Sequence, residues 1–96
     1  MNPRQKKFFK AIKSNNLKII EKENFDDLVN LPHQKSFQYP IHFACELGRL
    51  EVLQWLATKE ANFNVTDRDG KHALHYAAHN LHVDCCHFLI KGKPTV

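Results

Sequence analysis

Residues 40–45 read PIHFAC and residues 73–78 read ALHYAA, so the same pattern returns after 33 positions. The match continues at this offset through the following segment, where apolar residues align with apolar ones, acids with acids and aromatics with aromatics. The further aligned stretches are Leu50-Glu51-Val52-Leu53 with Val83-Asp84-Cys85-Cys86, and Trp55-Leu56 with Phe88-Leu89. Agreement over so many positions at one offset predicts a chain built from repeated units.

A fainter copy precedes these two. Ala11 aligns with Ala44, and residues further along align at the same offset, but Leu28-Val29-Asn30 matches Asn62-Phe63-Asn64 at an offset of 34. One residue has therefore been gained between the first two copies. We expect three repeats, at about residues 3–33, 34–66 and 67–96, of which the last is truncated.

Within each copy the apolar spacing is helical. Gly48 interrupts it and is suited to the left-handed conformation that ends a helix. A segment rich in Asn, Asp and Gly comes after the second helix, and Asp69-Gly70 within it favours a hairpin-like turn. The predicted unit is a helix, a tight turn, a second helix and a hairpin-like turn. The predicted fold class is therefore all-α, a solenoid of about three such units.

Residues 67–78 (DRDGKHALHYAA) and 39–52 (YPIHFACELGRLEV) resemble the ankyrin repeat, whose first helix opens with Thr-Pro-Leu-His-x-Ala. Four residues depart from its pattern. Tyr39 and His72 replace the Thr, which removes a hydroxyl N-cap worth about 1 kcal/mol. Leu81 replaces the glycine between two helices. Phe37 replaces the turn glycine beside the gained residue, so we expect the first turn between repeats to be irregular.

Composition narrows the class of protein. A chain of 96 residues has room for one domain, and 43% hydrophobic residues exclude intrinsic disorder. The sequence lacks a run of about 20 apolar residues and a secretory signal, so we expect neither membrane insertion nor export. Three cysteines, of which Cys85 and Cys86 are adjacent, indicate free thiols and a cytoplasmic, or alternatively nuclear, location.

The basic charge is unevenly distributed. Six of the 14 Lys and Arg residues precede residue 20, and four acids come after them by residue 27. This pattern is typical of a solubilising outer face on a capping repeat, and it argues against a nucleic-acid interface.

The resemblance implies a non-catalytic protein–protein interaction module, a scaffold or adaptor that needs no cofactor and is not an enzyme. Ankyrin repeats bind partner proteins through turn tips and the concave face of the first helices. Transferred to this sequence, the partner-binding positions are Glu46, Leu47, Thr66, Arg68, Asp69, Lys71, His79 and Asn80. The equivalent turn positions before the second repeat are Lys35, Ser36 and Gln38.

The resemblance also assigns structural roles. His42 and His75 occupy the repeat histidine, which hydrogen-bonds to turn backbone, so replacing either is expected to cost about 1–3 kcal/mol. Trp55 and Phe88 are interpreted as packing residues, with an exposed aromatic contact as the alternative. Asn64 resembles, weakly, the position at which some ankyrin repeats are hydroxylated by a cytosolic oxygenase.

Several alternatives stay open at this stage. The chain could be a regulatory or targeting segment of a larger enzyme or channel, and we expect it to be a piece of a longer array. Self-association through the open C-terminal edge is another option, because that copy leaves an apolar stripe of Val83, Cys86, Leu89 and Ile90. A third option is a metal site among the histidines and cysteines of the last copy, but no Cys-x2-Cys pair supports one, so we predict no metal. The candidate ligands are His72, His75, His79, His82, His87, Cys85 and Cys86.

Overall fold

Three pairs of helices make up the fold. The computed structural model describes residues 2–92, and within that range it contains helices and turns but no strand. Residues 93–96 of the third predicted repeat lie outside the described residues. The helices are α1 (Pro3–Lys13), α2 (Leu17–Lys22), α3 (Pro40–Leu47), α4 (Leu50–Thr58), α5 (Ala73–His79) and α6 (Val83–His87), with a 3-10 turn at Asp26–Leu28 and a π-helical turn at Phe88–Gly92. In this range no helix has the length and apolar character needed to cross a membrane.

The start of α1 shows how local sequence sets a helix boundary. The Asn2 side chain accepts a hydrogen bond of 2.8 Å from the Gln5 backbone N–H, and Pro3 occupies the first helical position. Asn is a strong N-cap residue, and proline there removes only an N–H that lacks a helical partner. Asn16 caps α2 in the same way, accepting from Ile19 N.

The turn inside each helix pair follows the repeat. Asn15, Gly48 and Leu81, spaced 33 residues apart, have φ values of 56°, 71° and 61°. Each therefore adopts the left-handed conformation that ends the first helix of its pair. Gly48 has this conformation, as predicted, and glycine adopts it without steric cost. Leu81 adopts it despite its Cβ, and its side chain is 82% exposed.

Replacing Leu81 by glycine is expected to stabilise the protein by about 0.5–1 kcal/mol. The left-handed conformation costs an L-residue about 1–2 kcal/mol, and the extra freedom of glycine in the unfolded chain offsets part of the gain. Denaturant unfolding measures the effect, with Leu81→Ala as the control that removes the side chain but keeps the Cβ. A glycine variant no more stable than the alanine variant would contradict the assignment of strain to this residue.

The turns between helix pairs differ by one residue. His33 N donates to Gln38 O at 2.7 Å in the first turn, whereas Asp67 N donates to Lys71 O at 3.1 Å in the second. The gained residue thus lies in the first turn, which is irregular as expected. Phe37 takes the left-handed position (φ 56°) that Gly70 takes in the second turn (φ 74°).

The core runs through all three helix pairs. Phe8 of α1 is fully buried, stacks on Phe25 at a centroid distance of 4.8 Å and meets the edge of Trp55 at 6.0 Å. Trp55 and Phe88 are both half-buried, and the Phe88 ring lies 6.3 Å from that of Phe63. These contacts support the packing interpretation of both aromatic residues, because each packs against core side chains.

A pair of equivalent hydrogen bonds joins successive helix pairs. Arg49 Nη2 donates to Lys13 O at 2.6 Å, and 33 residues later the His82 ring lies 3.0 Å from Glu46 O through its Nε2. In both cases the residue just before a second helix contacts the first helix of the preceding pair. We call these two contacts the backward bonds.

The repeat histidines have different environments. His42 is fully buried, its Nδ1 accepts from Tyr39 N at 2.8 Å, and its Nε2 donates to Val65 O at 3.2 Å. His75 Nδ1 likewise accepts from His72 N at 2.9 Å, but the His75 side chain is exposed. Both repeat histidines therefore hydrogen-bond to the backbone at the start of their helix, but of the two only His42 is buried.

Candidate functional site

A cleft of about 510 Å³ lies beside the second turn and is lined by α3 and α5. Four predicted partner-binding residues line it: Glu46, Lys71, His79 and Asn80. His75 and Tyr76 complete its walls. We call this the main cleft. It combines a carboxylate, an ammonium group, two imidazoles and an amide around an aromatic ring, so it can form hydrogen bonds and ion pairs with a polar partner segment.

Asp67 holds the second turn and Tyr76 of the main cleft together. Its buried carboxylate accepts hydrogen bonds of 2.9 Å from the backbone N–H groups of Asp69 and Lys71, and a further one from the Tyr76 hydroxyl. The turn is thus attached to α5. Burial alone raises the pKa of Asp67, but these hydrogen bonds outweigh it and hold the pKa below its ordinary value.

Tyr76 is the side-chain donor to the Asp67 carboxylate. Its pKa is raised, first by burial and then by the hydrogen bond to the Asp67 carboxylate. The phenol therefore stays protonated at neutral pH and continues to donate. The Lys71 ammonium lies 5.9 Å from the centroid of the Tyr76 ring, which places a cation at the mouth of the cleft.

The two turn tips contact one another next to the main cleft. Arg68 N donates to Ser36 O at 3.0 Å, and the Arg68 guanidinium lies 4.8 Å from the centre of the Phe37 ring. Gln38 Nε2 donates to Glu46 Oε1 at 3.4 Å. Arg68 therefore joins the two turns through Ser36 and Phe37. The predicted positions Lys35 and Asp69 are exposed on these turns.

The other predicted positions are less central. Thr66 is exposed at the base of the second turn, and Leu47 is half-buried at the end of α3 without lining the main cleft. His75 and Tyr76 line it although sequence reasoning gave neither a binding role. The signal that could have identified them is helical spacing, because His75 and Tyr76 lie one turn before His79 and Asn80 on α5.

Three lysines of α1 line a second cleft. Lys6, Lys10 and Lys13 surround a volume of about 250 Å³ together with Phe9, His33 and Phe43. We call this the basic cleft. The three lysines are exposed, and the predicted solvating role of the N-terminal lysines stays a prediction.

The C-terminal edge carries a third cavity, of about 420 Å³, whose lining includes Phe63, Asn64, Leu74 and Leu89. The predicted apolar stripe is present in part. Val83 and Ile90 are 75% and 61% exposed, but Leu89 is buried in the core. Asn64 is exposed at this edge, and its hydroxylation stays a prediction.

Cys45 and Cys85 are poor nucleophiles. Burial raises the pKa of Cys45, and burial with the Asp84 carboxylate raises that of Cys85 to about 11. Thiolate is the reactive form, so at neutral pH both are protonated. Within residues 2–92, no group of three or more His, Cys, Asp or Glu side chains could hold a metal ion.

Comparisons with known proteins show the same architecture. The family model "Ankyrin repeats (many copies)" matches residues 41–90, just over half of the chain. Among solved structures, 134 chains are similar. One belongs to the crystal structure of the yeast ribosomal protein Rps3 in complex with its chaperone Yar1, with a TM-score of 0.79 and 19% identity, over 93% of this chain and 69% of that chain. At this identity the likeness shows a shared fold. Curated proteins give no match.

Proposed function

Because this chain belongs to the ankyrin-repeat family, we propose that it is a non-catalytic scaffold or adaptor that binds a partner protein in the cytoplasm. The main cleft and the adjoining turn tips are the binding surface. The observation that carries this proposal is the Asp67 anchor, which holds exposed charged residues of the second turn against α5. The partner segment is polar, because the surface offers charges of both signs.

Fixed geometry favours binding by this surface. The hydrogen bonds of Asp67 and the contact of Arg68 N with Ser36 O hold the turn backbone before any partner arrives. A preorganised surface loses less conformational freedom on association, so more of the contact energy appears as affinity. In the proposed complex, Arg68 and Lys71 contact acidic groups, Glu46 and Asp69 contact basic ones, and His79 and Asn80 form hydrogen bonds.

Affinity capture from a cell extract, followed by mass spectrometry, tests the proposal. The test variant carries Arg68→Ala, Asp69→Ala, Lys71→Ala and His79→Ala. The control carries Lys18→Ala, Glu21→Ala, Lys22→Ala and Gln54→Ala, which are exposed positions with the same formal charges. We expect a partner whose recovery falls at least about tenfold with the test variant and stays unchanged with the control.

Matched melting temperatures are required before the captures are compared. A partner that both variants retain would contradict binding at the main cleft and place the contact elsewhere. A partner lost with the control and retained with the test variant would move the site to the face of α2 and α4.

A further inference from the structure

Helical spacing places Lys6, Lys10 and Lys13 on one side of α1. They succeed one another at intervals of four and three residues, which brings their side chains together along one face. All three are exposed, and all three line the basic cleft. The Arg49 guanidinium reaches Lys13 O at 2.6 Å and adds a fourth cation at the C-terminal end of the same helix.

Ion pairing differs between the two sides of α1. Arg4 pairs with Asp27 at 2.8 Å, and Lys7 pairs with Glu23, so the cations on that side are neutralised locally. Among the described residues, no carboxylate forms an ion pair with Lys6, Lys10 or Lys13. The Lys13 ammonium instead lies 5.6 Å from the centroid of the Phe43 ring. The positive charge of the basic cleft is therefore left for a ligand.

The floor of the basic cleft is apolar. The Phe9 and Phe43 rings are packed 4.8 Å apart, and the His33 ring lies 5.7 Å and 6.1 Å from them. Phe9 and Phe43 are 4% and 8% exposed, so only a small part of each ring is open to the basic cleft. A ligand that fits carries negative charge along its length and one apolar side chain that rests against this small apolar area.

We propose that the basic cleft is a second binding site, specific for an acidic peptide segment with an apolar anchor residue. This inference shares with the proposed function only the premise that the chain is a protein-binding module. It concerns the basic cleft and not the main cleft. Lys6 to Lys13 span seven residues, about 10 Å along the helix, a length suited to a short peptide. Little of the Phe9 and Phe43 ring surface is exposed, which disfavours stacking of nucleobases on them.

The test is a titration of the full chain with a fluorescein-labelled peptide of alternating Asp and Glu with one central Phe. The site variant carries Lys6→Gln, Lys10→Gln and Lys13→Gln. The control variant carries Lys18→Gln, Lys22→Gln and Lys91→Gln, which removes the same charge at exposed positions outside the basic cleft. We expect about a tenfold weaker affinity for the site variant and less than a twofold change for the control.

Two further peptides define the chemistry. Replacing the central Phe by Ser is expected to weaken binding several-fold, and replacing every acid by Lys is expected to abolish it. The proposal fails if the wild-type chain does not bind the acidic peptide, or if both lysine variants lose affinity equally. It also fails if a single-stranded RNA oligonucleotide binds more tightly and shows the same loss with the site variant.

The outcome is separable from that of the capture experiment. The capture variant changes residues of the third repeat and leaves the basic cleft intact. If the chain binds the acidic peptide but captures no partner, the proposed function alone is overturned. If it captures a partner at the main cleft but does not bind the acidic peptide, this inference alone is overturned.

Discussion

Replacing His42 by alanine is expected to destabilise the protein by about 3–4 kcal/mol. The substitution leaves the Tyr39 N–H and the Val65 carbonyl without their partner, at about 1–3 kcal/mol each, and it opens a cavity at a fully buried position. A domain of this length is stable by about 5–14 kcal/mol, so the loss is a large part of the total. Denaturant unfolding followed by circular dichroism measures it.

His75→Ala is the matched control for this prediction. His75 has the same position in the repeat and the same bond to the helix N-terminus, but its side chain is exposed. We expect a loss below about 1 kcal/mol. Equal losses for the two variants would show that burial and the Val65 bond do not distinguish these histidines.

His42 also makes the stability of the protein depend on pH. Burial lowers the pKa of His42 below its ordinary value, so the unfolded chain binds this proton more readily than the folded one. The contribution of neutral His42 to the free energy of unfolding is therefore complete above the ordinary histidine pKa of about 6.5. It is lost as the pH falls below that value. His42→Asn keeps an acceptor for Tyr39 N but does not titrate. Its stability should fall less steeply than that of the wild type from pH 7 to pH 5.5.

Replacing Gly48 by alanine is expected to cost about 3 kcal/mol. Its φ of 71° disfavours any L-residue by about 1–2 kcal/mol. An added Cβ would also lie 2.6 Å from Nδ1 of His82, whose ring is held in place by its bond to Glu46 O. Relieving that overlap requires a shift of the ring and adds about 1–3 kcal/mol.

Gly70→Ala separates the two causes. Gly70 has nearly the same φ, 74°, but an added Cβ would meet nothing within 4 Å. We expect this variant to lose only the conformational part, about 1–2 kcal/mol. Adding His82→Ala to Gly48→Ala should relieve the overlap. If the two glycine variants were equally destabilised, the His82 contact would not contribute.

The repeat offset and a few marker residues predicted much of the fold. The 33-residue period, the helix start at Asn2-Pro3 and the left-handed Gly48 all depend on local chemistry that the sequence displays. Phe37 and Leu81 show the limit of this approach. Neither is a glycine, yet both have positive φ, at positions where a local hydrogen bond from Phe37 N to His33 O or from Leu81 N to Ala78 O closes the turn.

The two clefts were harder to predict than the fold, because part of their lining comes from contacts between repeats. Transfer by position found Glu46, Lys71, His79 and Asn80 of the main cleft, because first-helix and turn positions keep their place from repeat to repeat. It missed His75, because the repeat histidine was assigned only a hydrogen bond to turn backbone, whereas the exposed side chain also lines the main cleft. The basic cleft requires Phe43 of the second repeat against the lysines of the first, a contact that no single repeat contains.

The backward bonds have a consequence for how the chain is made. In each of them the acceptor carbonyl, of Lys13 or Glu46, belongs to an earlier helix, and the side chain that reaches it, Arg49 or His82, comes later. During synthesis from the N-terminus, the receiving surface is therefore complete before its partner leaves the ribosome. Each new pair of helices thus meets an acceptor carbonyl that is already in place, so these two contacts are suited to form in step with translation.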